Sequence, residues 1–103
     1  MPLEKKPERL KGKLLQEFLR KASGWKCIRQ HHIAREFAFN DFKQALGFVN
    51  RIGKTAERMN HHPSIQLDWG KAKVSIWTHK INGLGEKDFE LARKISEEFK
   101  KKR

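Results

Sequence analysis

Pro63 separates two hydrophobic periodicities that no single element can satisfy. On its N-terminal side Phe42, Ala45, Leu46, Val49, Ile52, Ala56 and Met59 recur at the spacing of one helix face, with Asn40 or Asp41 placed to cap it. On its C-terminal side SIQLDW (64–69) and KVSIWTH (73–79) alternate apolar and polar residues with the period of two that belongs to a strand. Proline cannot continue the helix, and it drives His62 toward an extended backbone. The chain must therefore pass from helix to hairpin here, with Asp68-Trp69-Gly70-Lys71 reversing the direction between the two strands.

The same reading applies to the flanks. Residues 8–22 place Leu10, Leu14, Leu15, Phe18 and Leu19 on a helical stripe despite Gly12, and Ser23-Gly24 ends it. WKCIRQ (25–30) and HIAREFAF (32–39) form another hairpin around Gln30-His31, with Ile33, Phe37 and Phe39 sharing a face. INGLGE (81–86) is a loop, and from Lys87 a last helix turns Phe89, Leu91, Ala92, Ile95 and Phe99 inward. The expected fold is α+β: a four-stranded antiparallel sheet with three helices packed on one face, in a single domain over residues 1–103. The uncovered face or an edge strand is then available to a ligand or a second copy of the chain.

Composition narrows the function classes. No apolar run approaches the ~20 residues that cross a bilayer. The chain begins MPLEKKPERL, with charge where a signal peptide is apolar, so a cytoplasmic protein without a membrane partner is expected. Cys27 is the sole cysteine, which excludes an internal disulfide and a multi-cysteine zinc cage. The net charge of +12 invites a nucleic-acid reading, but the excess lies in residues 1–35, which include a basic arm at about 1–8, and in the tail 100–103. Residues 36–99 hold ten bases and nine acids, so the stretch with the remaining polar motifs is nearly neutral and nucleic acid is not the expected partner.

Those motifs are histidines. His61-His62 leaves the long helix, and His79 closes the second hairpin strand, where pairing of the two inner strands would bring it toward the His-His turn. Glu57 sits one turn before His61, and Asp88 lies in the first turn of the last helix. Three imidazoles admit a zinc site completed by water, contacts to nucleic acid, or metal-free acid/base chemistry near neutral pH. The residue types alone leave these open. His31-His32 is chemically the same pair, placed at a strand turn without a carboxylate or strand-end histidine beside it in sequence.

The spacing narrows the choice. Glu57, three residues, His61-His62-Pro63, five residues, Trp69, nine residues, His79, eight residues and Asp88 together resemble the signature of the pterin-4a-carbinolamine dehydratases. AERMNHHP (56–63), WTHKINGLGEKDFELA (77–92) and EFAFNDFKQALGFV (36–49) are similar to segments of that family, so the resemblance covers roughly residues 25–97. His31-His32 matches nothing in it. Ser64-Ile65 stands where the family usually has an acidic residue and often Trp, and Gly85 stands where it has Thr or Ser.

The resemblance implies dehydration of a 4a-hydroxytetrahydropterin to the quinonoid dihydropterin, in recycling of a tetrahydrobiopterin-type cofactor. The pterin is the substrate, and no metal or organic cofactor is implied. It also implies His61, His62 and His79 as the catalytic residues, with His61 and His79 as the proton-transfer pair and His62 mainly positioning the pterin while able to share the acid/base work. Glu57 and Asp88 would orient imidazoles or bond the ring, and Trp69 or Trp77 would support the pocket. A homodimer is the first expectation for assembly and a homotetramer the second. The alternative is a non-catalytic protein-binding or dimerisation-cofactor module of the same fold.

Overall fold

The computed structural model describes residues 8–101, so most of the basic arm and the end of the tail lie outside the described residues. Three helices, α1 (Gly12–Lys21), α2 (Phe42–Met59) and α3 (Glu86–Lys101), accompany four strands, β1 (Lys26–Ile28), β2 (His32–Ala38), β3 (Ser64–Asp68) and β4 (Lys71–Ile76). The sheet is antiparallel throughout, in the order β1-β2-β4-β3. The inner strands β2 and β4 therefore pair with each other, which meets the condition for His79 to approach the His-His turn. Among the described residues no helix is long and apolar enough to cross a membrane.

Register decides which side chains form the core. Ile33 faces Ile76, Arg35 faces Val74 and Phe37 faces Ala72, while Ile65 and Leu67 of β3 extend the same two rows. Side chains alternate across a strand, so these residues share one face of the sheet. Ile33, Phe37, Ala72, Val74 and Ile76 are buried there with Leu15 of α1, Phe48 and Ile52 of α2, and Leu91 and Ile95 of α3. All three helices thus cover this face. The opposite face carries Lys26, Glu36, Lys71, Lys73, Ser64 and Gln66. Phe37 lies between the rings of Trp25, Phe48 and Phe99, so Phe37→Ala would cost about 3–5 kcal/mol.

The two ends of α2 are fixed by different devices. Asp41 caps its start, accepting the Gln44 N–H at 2.9 Å, while the Gln44 side chain accepts the Asn40 N–H at 3.3 Å. At the other end Asn60 takes the left-handed conformation with φ of 54°, and the Asn60 and His61 N–H groups both return to Ala56 O. This Schellman-type closure reverses the chain within one residue.

Several expectations are corrected. Helix α1 starts at Gly12, whose φ of +57° breaks the pattern that begins at residue 8, and Leu10 instead donates its N–H to Leu84 O at 2.7 Å. The register of the shorter helix leaves Leu14 50% exposed and buries Leu15. On α2, Phe42 and Leu46 are 43% and 39% exposed, and Phe48, absent from the predicted stripe, is fully buried. The first hairpin turns one residue early, at Arg29-Gln30 with φ of 54° and 56°, closed by the His31 N–H to Ile28 O. That is a type I′ turn lacking the Asn-Gly that usually announces one. Strand β4 stops at Ile76, and His79 opens a 3-10 turn (His79–Ile81) instead of closing the strand. The chain folds back there so that Thr78 can bridge Gly83.

Candidate active site

The histidine region is organised by one buried carboxylate. Gly85 precedes α3, and Asp88, three residues on, reaches back to the Gly85 N–H with Oδ2 at 2.7 Å, the acidic half of a capping box. The same Oδ2 accepts the Thr78 hydroxyl at 2.8 Å, and Oδ1 meets His61 Nε2 at 2.6 Å. Asp88 is fully buried, and as a carboxylate it accepts from all three donors. It lies in the first turn of α3, where helix dipoles favour negative charge. Because the carboxylate only accepts, the proton of a neutral His61 is held on Nε2, leaving Nδ1 with the lone pair.

His62 has a separate partner. Its Nε2 meets Glu57 Oε2 at 2.5 Å, with both side chains largely exposed. On sequence spacing Glu57 lies one helical turn before His61. The reversal at Asn60 instead brings His62 over Glu57 and sends His61 toward α3.

His79 follows Thr78 directly, so the tie from Thr78 to Asp88 anchors the backbone that carries it. The loop is closed further by Thr78 N–H to Gly83 O at 2.9 Å and Asn82 N–H to His79 O at 3.1 Å. The His79 ring lies against the indole of Trp77, with centroids 4.7 Å apart and planes at 48°. Trp77 also contacts His31 and His32, at 5.2 and 5.8 Å. This corrects the expectation that His31-His32 stands apart from a strand-end histidine. Pairing of β2 with β4 carries the turn of the first hairpin to the end of β4, a neighbourhood that sequence distance conceals. The His32 pKa is lowered from its ordinary 6.5, first by burial and then by His31, Lys73 and Arg29.

The predicted residues thus form linked groups. Asp88 joins His61 to the Thr78 backbone that leads into His79, Glu57 joins His62, and Trp77 joins His79 to His31 and His32. Trp69 is not with them: it is 68% exposed in the β3–β4 turn. The histidines lie at the other end of that hairpin, about 17 Å away along a five-residue strand. Sequence reasoning missed Thr78 and Asn82, and it took Gly85 as a helix cap without foreseeing its bond to Asp88, although Gly-x-x-Asp at a helix start is a signal for that bond. Among the described residues no group of three or more His, Cys, Asp or Glu side chains is arranged to hold a metal ion. A groove of about 620 Å³ runs between α1 and α3, lined by Phe18, Trp25, Arg35 and Phe89 among others, and no histidine lines it.

Comparison with known proteins gives a consistent result. The family model described as pterin 4 alpha carbinolamine dehydratase matches residues 8–98. A protein of Rubrobacter xylanophilus, provisionally named pterin-4-alpha-carbinolamine dehydratase, is 48% identical over 86 residues, covering 84% of this chain and 80% of its own. The crystal structure of a transcriptional coactivator/pterin dehydratase from Brucella melitensis superposes with a TM-score of 0.84 at 34% identity, over 88% of this chain and 98% of that one. A pterin dehydratase-like protein identified as a RuBisCO assembly factor in the alpha-carboxysome has a TM-score of 0.65 over 74% of this chain and 89% of its own. At 18% identity it shows likeness of fold alone.

Proposed function

The chain belongs to the pterin-4a-carbinolamine dehydratase family, and we propose that it carries out that dehydration itself, on a 4a-hydroxytetrahydropterin, by histidine acid/base catalysis. The observation that carries this reading is the buried Asp88 carboxylate against His61 Nε2. It aligns His61 with Nδ1 free to take up a proton, and it stabilises the imidazolium that then forms. In the reaction the C4a–O bond breaks, its electrons leave with the hydroxyl, and N5 loses its proton as the C4a=N5 bond forms. His61 accepts the N5 proton. His79, against whose ring no carboxylate is placed among the described residues, protonates the departing hydroxyl so that water leaves. Solvent exchange resets both imidazoles. His62, held by Glu57, bonds the pterin and positions it. The reaction needs no metal or organic cofactor, and its setting is cytoplasmic recycling of a tetrahydrobiopterin-type cofactor.

Self-association accompanies this reading, as a homodimer first and a homotetramer second. Phe42, Leu46 and Val49 follow one another along α2, the first two exposed, with the partly buried Ile65 on edge strand β3. That is an apolar strip suited to a second copy. The second functional reading is a non-catalytic protein-binding module, motivated by the coactivator name of the Brucella melitensis structure. Rapid-mixing spectroscopy of 4a-hydroxytetrahydropterin decay separates the two. Acceleration by the wild-type chain that is lost in His61→Ala and His79→Ala supports the enzyme, and decay at the uncatalysed rate favours the binding module.

A further inference from the structure

An imidazole on an exposed 3-10 turn samples several rotamers unless something restricts it, and each freely rotating side chain costs entropy to fix when substrate arrives. His79 is such a group, and the residue restricting it is Trp77. The indole is restricted in turn by His31 and His32, whose own rings are tied together. His31 Nδ1 and His32 Nδ1 are 3.0 Å apart, and His31 Nε2 lies 2.9 Å from Asn82 Oδ1. The amide oxygen only accepts, so Nε2 of His31 carries a proton, Nδ1 of neutral His31 accepts, and His32 Nδ1 donates. Donors therefore run from His32 to His31 to Asn82. Asn82 closes the turn that His79 opens, since its N–H bonds His79 O. The pair thus grips the His79 loop at both ends, by Trp77 before it and Asn82 after it.

We propose that the His31–His32 pair is a positioning element of the site, a brace from the β1–β2 turn that fixes the rotamer of His79 through Trp77 and Asn82. The proposal rests on the reading that His79 transfers a proton. Neither imidazole of the brace touches the reacting atoms. Lys73 and Arg29 lie close enough to oppose a charge on His32, and burial acts in the same direction, which suits a neutral ring.

The test uses the full chain, in wild-type form and as His31→Ala, His32→Ala, Asn82→Ala and His32→Asn, the last placing an amide N–H where Nδ1–H was. Ring-proton NMR signals of His79 report its stacking, because the indole ring current displaces them. Loss of either imidazole or of Asn82 should move these signals toward those of a solvated histidine. It should lower kcat about tenfold with KM nearly unchanged, as expected when a catalytic group loses orientation. His32→Asn should restore most of both. Unmoved His79 signals in the three alanine variants, with backbone spectra preserved, overturn the brace. Should any alanine variant fail to fold, His32→Asn and the remaining variants decide. A wild-type chain that accelerates no dehydration removes the dehydratase reading, while displaced His79 signals in the variants would still support the brace.

Discussion

Asp88→Asn separates the orienting role of the carboxylate from its packing. The substitution is nearly isosteric, and the amide oxygen can keep the Thr78 hydroxyl and the Gly85 N–H. The amide NH2 must then face His61 Nε2, where two donors would meet. His61 can relieve this by moving its proton to Nδ1, so that Nε2 accepts from the amide. The outward nitrogen then has no lone pair to receive a proton. One hydrogen bond to a charged group, ~1.5–3 kcal/mol, is replaced by a neutral one of ~1, a net loss of about 0.5–2 kcal/mol. For a chain of this size that lowers Tm by roughly 2–16 °C, so the variant stays folded at 25 °C. Turnover should fall on the order of 10²-fold or more. The assay pairs 15N NMR of the His61 tautomer with dehydration kinetics. A folded D88N protein that keeps the Nε2–H tautomer, or wild-type turnover, refutes the reasoning.

Four other outcomes are expected. His79→Ala should keep the fold and lose on the order of 10²-fold in kcat, since its side chain is exposed and contributes little to the core; full activity in the folded variant would remove it from the mechanism. Prolonged dialysis against a chelator should leave turnover unchanged, and a loss restored by added zinc would argue for a metal mechanism. The lowered pKa of His32 means that the unfolded chain binds more protons below its ordinary value of 6.5. This group's contribution to stability is therefore fully present above that pH and is lost as pH falls toward the folded pKa. His32→Asn should flatten that part of the denaturation profile, and an unchanged acid slope would count against it. Replacing Arg29-Gln30 with Asn-Gly should raise stability by about 1–2 kcal/mol, because both positions have positive φ; a lower Tm would show that the side chains themselves matter there.

Local periodicity carried most of the fold into view. Pro63, the two alternating runs after it and the helical run before it are short-range signals, and the elements they predict are those observed. Two consecutive hairpins also made a four-stranded antiparallel sheet foreseeable, with the β2–β4 pairing left as a condition. The errors arose where a local pattern met a competing constraint. Phe42 and Leu46 are exposed although they share the apolar stripe of α2, a tertiary outcome that helical spacing does not carry, and the start of α1 depends on one glycine conformation. At the site the histidines and carboxylates were legible as residue types, but their pairing was not. Glu57 is nearer His61 in sequence, yet the left-handed turn at Asn60 hands it to His62. The His31–His32 neighbourhood depends on Ile33 pairing with Ile76, a long-range register that neither segment reveals alone.

Asp88 serves two masters, and this affects how other chains of the family can be read. Its bond to the Gly85 N–H secures the start of α3, and its bond to Thr78 secures the loop, whether or not a reaction takes place. A descendant that abandoned catalysis for binding another protein would still lose stability on losing that aspartate. Losing the imidazole that faces it would cost that protein one hydrogen bond to the buried carboxylate, about 1.5–3 kcal/mol, but would leave the Gly85 and Thr78 bonds in place. Presence of the aspartate alone therefore reports only an intact scaffold. A chain that keeps the aspartate but places an apolar or small residue at the position of His61 is a candidate for a family member retired from chemistry.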